Sequence, residues 1–310
     1  MGCCVGLKFC FLNFVQQRGT ETRFESPSRH KHKRWRQWQL SFSKWTMDNF
    51  YIKDGHQFFR KTGKISDFLG DRLVINPLTI DEAIDYINSN NINTITINPS
   101  KHTVNDLDFL TEINSIEGLY LLQNNLDLSP INELKNLRVL HVDKVDSKID
   151  FNNFPNLQVL GTTYSKSIDK IKNCKKLFWL WLDSFKQENL DMLSDLDDLM
   201  HLHLHKTTIV DLKGIEKLKN LVELHIDGAT KLQSLSGLSP SNLNLEFIDI
   251  FNAKRLTDYE SLSNVKTVKR LIFTKTGDGE YLDYIKHLDN LEELIIGNKQ
   301  VIKNRLRLSD

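Results

Sequence analysis

One phrase recurs ten times along the chain: an apolar residue, two free positions, an apolar residue, one free position and a third apolar residue. It is read at Ile92-Ile95-Ile97, Ile116-Leu119-Leu121, Leu137-Leu140-Val142, Leu157-Leu160-Thr162, Leu177-Leu180-Leu182, Leu199-Leu202-Leu204, Leu221-Leu224-Ile226, Leu245-Ile248-Ile250, Val268-Leu271-Phe273 and Leu291-Leu294-Ile296. The starts fall 24, 21, 20, 20, 22, 22, 24, 23 and 23 residues apart, a period that marks a stacked repeat array. The last two apolar positions are two apart, so on a strand they share one side while the residue between them faces the other. One repeat cannot bury such a row alone, so it stacks on its neighbours and shares a continuous core. The strands then form a parallel sheet on one side of a curved coil, and the return segments form the other. At about 4.8 Å between strands, ten of them give a sheet on the order of 45 Å long.

The return segments carry their own pattern, as in Asp127-Leu128-Ser129-Pro130-Ile131-Asn132-Glu133-Leu134 and Asp211-Leu212-Lys213-Gly214-Ile215-Glu216-Lys217-Leu218. Apolar residues every three positions suit a short helical or 3-10 turn with one buried stripe. This period leaves no room for a long helix. Phrase and returns together resemble the leucine-rich repeat superfamily, and the compact form is similar to the bacterial internalin-type arrays and their intracellular relatives, over roughly residues 71 to 298. The resemblance implies an α/β fold: a right-handed solenoid or horseshoe, with a parallel β-sheet on the concave face and short helices, 3-10 turns or loops on the convex side. The family's Asn, three residues after the phrase, occurs at Asn124, whereas other repeats have Val145, Ser165, Phe185, Thr207, Ala229, Ala253 or Thr276. Small or apolar residues must therefore pack most of these turns, giving an irregular solenoid of uneven curvature.

The near-zero net charge hides a split. Residues 1–46 carry nine Lys and Arg against two Glu, or +7, which leaves 41 − 9 = 32 basic against 40 − 2 = 38 acidic residues, or −6, in the remainder. The first 46 residues also hold three of the four Cys and three of the five Trp, and contain no Ile or Asp. Three readings of this segment are open: a disordered basic extension, a stretch upstream of a working start at Met47, or a targeting segment. The last rests on Gly2, Cys3 and Cys4, where a myristoyl group and adjacent palmitoyl groups would anchor the chain stably. Gly6 stands where the myristoylation pattern wants Ser or Thr. A secretory signal fits worse, since no basic residue precedes the apolar stretch from Val5 to Val15. The basic run from His30 to Arg36 reads as a solvated stretch.

Residues 47–91 read as an N-terminal cap. Thr79-Ile80-Asp81-Glu82 has the form of a capping box, with Ala83, Ile84 and Ile87 on one helical face. Leu73 to Ile75 reads as an extra, degenerate first strand. The array proper is 92–298, and 299–310 is a tail or cap whose Lys299, Lys303, Arg305 and Arg307 would keep the last edge wet. Cys174 is the only cysteine after residue 46, and the one Asn-x-Ser/Thr match, Asn98-Pro99-Ser100, is disqualified by its proline. Both point to the cytoplasm. No 18-residue apolar run suggests a membrane span.

Function should lie in the outward columns of the sheet. We take Tyr120, His141, Trp179, Trp181, Asp183, His201, His203, His205, Glu223, His225, Asp227, Phe247, Asp249 and Phe251 as partner-binding candidates, since aromatics, histidines and acids cluster between Leu177 and Phe251. Two adjacent Trp on a strand surface would expose several hundred Å² of apolar area, the size of patch that marks an interface. The competing account is that they pack on one another or under a loop. The histidines invite a metal reading, with His203 and His225 in one column on adjacent strands and Asp227 or Asp249 as an oxygen ligand. A pH-sensitive interface and plain polar contacts are the other readings of these residues.

No phosphate loop, nucleophile elbow or His-Glu-x-x-His occurs, and Thr276-Gly277-Asp278-Gly279-Glu280 has the look of a turn rather than a calcium loop. No catalytic residue and no cofactor are expected. The acidic body argues against nucleic acid. The chain thus reads as a monomeric, non-enzymatic module that binds a protein or peptide on its concave face, as scaffold, regulator or immunity- or effector-type protein. The alternatives are a metal- or ligand-binding module using His201, His203, His205 and His225, and a lipid-anchored adaptor that meets membrane only if Gly2, Cys3 and Cys4 are acylated.

Overall fold

The computed structural model of the protein describes residues 49–61, 68–277, 281–297 and 299–302. Gly2, Cys3 and Cys4, the basic run from His30 to Arg36, the start at Met47, Asp278 to Glu280, and Lys303, Arg305 and Arg307 lie outside the described residues. The chain divides into two compact units, with the boundary between Asp143 and Lys144.

The first unit opens with a hairpin that sequence reading overlooked. Strands β1 (Phe50–Lys53) and β2 (His56–Phe59) pair antiparallel, with Phe50 opposite Phe59. Asp54 and Gly55 between them take φ of 51° and 82°, the backbone of a two-residue hairpin turn whose twist matches its strands. β2 pairs antiparallel with β3 (Arg72–Val74), after which pairing becomes parallel through β4 (Thr94–Ile97), β5 (Gly118–Leu121) and β6 (Val139–Lys144). Leu73 and Val74 thus form a short strand ahead of the repeats, aligned with Ile95 and Thr96. Helix α1 (Ile80–Asn90) buries Ala83, Ile84 and Ile87.

The start of α1 differs from the capping box read in the sequence. Thr79 makes no side-chain cap bond. A 3-10 turn, Pro77–Thr79, runs directly into the helix, and Asn76 Oδ1 accepts the Leu78 N–H at 3.1 Å. Because the helical course begins at Pro77, the capping residue is Asn76, and proline takes the first position where no N–H is needed.

In the second unit, β7 (Val159–Thr163), β8 (Trp179–Asp183), β9 (His201–His205), β10 (Glu223–Asp227), β11 (Phe247–Phe251), β12 (Arg270–Thr274) and β13 (Glu293–Ile296) are parallel in sequence order. β14 (Lys299–Ile302) folds back antiparallel onto β13. The edge of β13 is therefore paired by the chain itself, and β14 becomes the last described strand of the sheet. A strand laid on an edge satisfies its N–H and C=O row, which charge alone would only solvate.

The register is that of the repeated phrase. Leu180, Leu202, Leu224, Ile248, Leu271 and Leu294 align across the ladder, and none is more than 1% exposed. Truncating any such leucine to alanine costs about 2–5 kcal/mol. The phrase's one polar member, Thr162, is 1% exposed and satisfied: its Oγ1 accepts the Val145 N–H at 3.1 Å. After β6, β8, β9, β10 and β11 the turn position is buried and taken by Val145, Phe185, Thr207, Ala229 and Ala253, the small and apolar packing anticipated from the missing Asn. Asn124 itself is exposed. Its neighbour Gln123 bonds the Val104 backbone, accepting from Val104 N at 2.9 Å and donating to Val104 O at 2.6 Å.

The return segments are 3-10 turns such as Ser129–Glu133 and Ile215–Lys217, with one five-residue helix, α2 (Tyr281–Ile285). An acidic or amide side chain commonly starts the return by accepting the N–H two residues on: Asp127 from Ser129, Asn189 from Asp191, Asp211 from Lys213 and Asp258 from Glu260. Such a bond bends the chain into the turn. Just before the next strand, Asn220, Asn244 and Asn290 donate to Asp197, Lys219 and Lys266 carbonyls of the preceding repeat, at 2.9–3.0 Å. The amide ties between repeats thus sit ahead of the strand. Cys174 is buried, and burial pushes its thiol up to about 12, so it is packing rather than chemistry.

Gly237 has φ 112°, and a Cβ there would lie 2.3 Å from the Leu212 carbonyl oxygen, whereas one at Gly55 would meet nothing. Gly237→Ala should therefore lower unfolding free energy by more than about 2 kcal/mol, from left-handed strain plus overpacking. Gly55→Ala should cost only about 1 kcal/mol. Urea denaturation of both variants checks the contrast, and similar losses would contradict it.

Candidate functional site

Two large polar candidates in the first unit are used up internally. Tyr120 is 2% exposed, with the Arg72 guanidinium 3.4 Å above its ring, and Arg72 also faces Phe59 at 5.2 Å. Ring faces compensate a guanidinium that burial strips of water. Burial pushes the Tyr120 hydroxyl up, against the opposing pull of Arg72. His141 is buried too, its ring stacked 6.1 Å from Tyr120. Leu69 lies over Gly118, where a Cβ would come within 2.9 Å of its side chain. Tyr120 and His141 therefore do not present a binding surface; the segment leading into β3 covers this part of the sheet.

The second unit brings the other twelve candidates together. Strand register sets them in three rows: Trp179, His201, Glu223 and Phe247; Trp181, His203, His225 and Asp249; Asp183, His205, Asp227 and Phe251. Within each strand they alternate with core residues, so all face the same way. They do not stand free. Strands about 4.8 Å apart are closer than the width of a large side chain, so each ring leans on its neighbours.

Trp179 packs on His203 with ring centroids 5.3 Å apart, His203 stacks on His225 at 4.2 Å, and Phe247 meets His225 in a T-shaped contact at 4.7 Å. Arg270, which sequence reading left out, lies 4.6 Å over Phe247 and bonds Glu293 through Nε at 2.8 Å. Trp179 and Phe247 are consequently only 2% and 3% exposed. The broad apolar patch expected from two adjacent Trp is absent, since only Trp181 is half-exposed, stacked on His205 at 6.3 Å. Phe251 is likewise half-buried, with the Lys275 ammonium 4.9 Å over its ring.

Carboxylates knit the imidazoles together. His205 Nδ1 lies 2.5 Å from Asp183, while its Nε2 faces Asp227 at 3.9 Å. Glu223 reaches His201 Nδ1 at 3.2 Å and His225 Nε2 at 3.5 Å, and His225 Nδ1 faces Asp249 at 3.5 Å. Burial pushes Asp183 and Glu223 up, but hydrogen bonds and charge from their histidine partners outweigh it and hold both below the usual carboxylate range. Asp227 goes the other way, raised by burial and by neighbouring Asp249. Of the metal-ligand candidates, His203 and His225 do come together, but the oxygen donor beside them is Glu223, not Asp227. Asp227 sits one row further along its strand, next to His205. The column assignment in the sequence placed these groups correctly on one face; the rotamers that select Glu223 had no sequence signal.

No family model matches the chain. A stretch of 109 residues, 34% of the chain, is 32% identical to a probable disease resistance protein of Arabidopsis thaliana and spans 13% of that protein. Among solved structures, an internalin (InlF) from Listeria monocytogenes is similar with a TM-score of 0.50 at 19% identity, over 77% of this chain and 84% of that one. The leucine-rich repeat ectodomain of the Arabidopsis receptor kinase HAESA, in complex with a peptide hormone, has a TM-score of 0.50 at 18% identity, over 85% of this chain and 48% of that one. The likeness is one of fold: the chain is built as a leucine-rich repeat solenoid.

The Asp183–His205 contact carries a pH signature. The folded Asp183 carboxyl lies below its ordinary value, so its stabilisation is present above the unfolded value of about 4 and is lost as pH falls through the folded one. Asp183→Asn should cost about 1–3 kcal/mol at pH 7, a gap that narrows as the medium is taken below about pH 4. Denaturant unfolding at neutral and acidic pH measures the gap, and a pH-independent difference would contradict the assignment.

Proposed function

We propose that this protein is a non-enzymatic interaction module that grips a protein or peptide partner on the outward face of β8–β11. The observation that carries this reading is the four-strand field of aromatic, imidazole and carboxylate side chains on one side of the sheet, opposite the aliphatic rows that the same strands bury. Trp181 and Phe251 offer half-exposed ring surface already held by His205 and Lys275. Rings fixed before binding lose little rotamer freedom on association, which raises the affinity obtained per contact. Aromatic residues of this kind dominate binding hot spots. Asp227 and Asp249 ring the field with acidity, favouring a partner segment with basic or hydrogen-bond-donating groups.

The use of this fold for a peptide hormone in HAESA supports a peptide or protein ligand. A scaffold, regulator, or immunity- or effector-type role is consistent with a recognition face of this kind, and the local likeness to a disease resistance protein favours the recognition roles. A cytoplasmic location is part of the reading, supported by a body with one cysteine and no glycosylation acceptor.

Trp181→Ala combined with Phe251→Ala should weaken partner binding by at least about thirtyfold in Kd, the loss of about 2 kcal/mol typical of a hot spot. Affinity capture with wild type and the double variant, each verified as folded by circular dichroism, tests it. Partners retained equally by both would place binding on another face.

A further inference from the structure

We propose that His203, Glu223 and His225 form a binding site for a divalent transition-metal ion of the zinc class, set into the outward face of β9 and β10. Each residue offers one ligand atom, and these atoms all lie within 4.8 Å of one another. The backbone fixes the arrangement. His203 and His225 are partners in the parallel ladder, and Glu223 precedes His225 by two residues and so shares its face. Two imidazoles with one carboxylate form the donor set that zinc, nickel and copper prefer, whereas calcium and magnesium require oxygen donors throughout.

Independent of the ligand atoms, the surroundings have the form of a metal shell. His225 directs Nε2 toward Glu223 and Nδ1 toward the Asp249 carboxylate, both at 3.5 Å. A metal-ligating histidine characteristically presents its far nitrogen to a carboxylate, which orients the ring and raises its basicity. Glu223 has its own support in His201 Nδ1 at 3.2 Å. Trp179 against His203 and Phe247 against His225 wall the cluster with apolar surface, and both walls are buried.

Tetrahedral zinc with bonds of about 2.0–2.1 Å needs ligand atoms about 3.3 Å apart. Closing from 4.8 Å calls for side-chain rotation of roughly an ångström or more, within reach of Glu223 torsions and imidazole tilts while the ladder stays still. Three protein ligands leave a fourth position for water or for a donor brought by a partner. Occupancy does not depend on any partner, so it is measured on the chain alone.

The test is zinc titration of the full-length protein, stripped with a chelator, against a competing chromophoric chelator. Wild type should bind one equivalent more than His203→Ala or His225→Ala, and His205→Ala should match wild type. Asp249→Asn, which alters only the outer shell, should weaken that equivalent about tenfold. Glu223→Gln keeps the side-chain shape and should abolish it even if the alanine variants fail to fold. Zinc should also raise the melting temperature of wild type but not of Glu223→Gln. Equal uptake by wild type and Glu223→Gln, or no uptake by wild type, would overturn the proposal.

Discussion

A parallel ladder tolerates no slip of one residue, because side chains alternate and a slip turns every apolar row to the opposite face. In this protein that constraint holds although the repeats vary in length from 20 to 24 residues. The differences are absorbed in the returns, where short 3-10 turns are started by Asp or Asn side chains and tied back by Asn amides to the preceding repeat. The corners after β8 to β13 take the same left-handed conformation at Ser184, Lys206, Gly228, Asn252, Lys275 and Gly297, with φ between 51° and 76°. Four of these six are not glycine, so the chain accepts local backbone strain to keep the strands aligned.

Register creates the outward face as surely as the core. Parallel pairing sets identical positions side by side, so the composition of a column becomes a surface. Over β8 to β11 the columns bring large rings to strands too closely spaced to let them stand apart. Trp179 and Phe247 are buried as a result, by imidazoles and by Arg270 rather than by leucines. Burial from the side by polar neighbours leaves a stiff face whose exposed part is confined to the edges of its rings.

Charge is organised by the same geometry. Each carboxylate in the field lies beside an imidazole on its own or an adjacent strand: Asp183 and Asp227 on either side of His205, Glu223 between His201 and His225, and Asp249 behind His225. Hydrogen bonds from these imidazoles, with charge attraction second, hold Asp183 and Glu223 ionised despite burial. The proposed recognition face and the proposed metal site thus draw on the same packed columns.

The repeated phrase determined the ten strands β4 to β13, their order, their register and the buried columns, because each depends only on a period of two along a strand and on repetition along the chain. It also assigned twelve side chains to one face of the second unit. The Asp54-Gly55 turn was legible too, in two short strand-like runs flanking a hairpin dipeptide, but lay outside the repeat pattern. Tertiary structure alone decided that Tyr120 is shut beneath Arg72, that Trp179 is buried while Trp181 is not, and that Glu223 rather than Asp227 joins His203 and His225. Those outcomes depend on rotamers and on segments brought across the sheet from elsewhere. Backbone periodicity says which way a side chain leaves the strand, but its neighbours in space decide where it comes to rest.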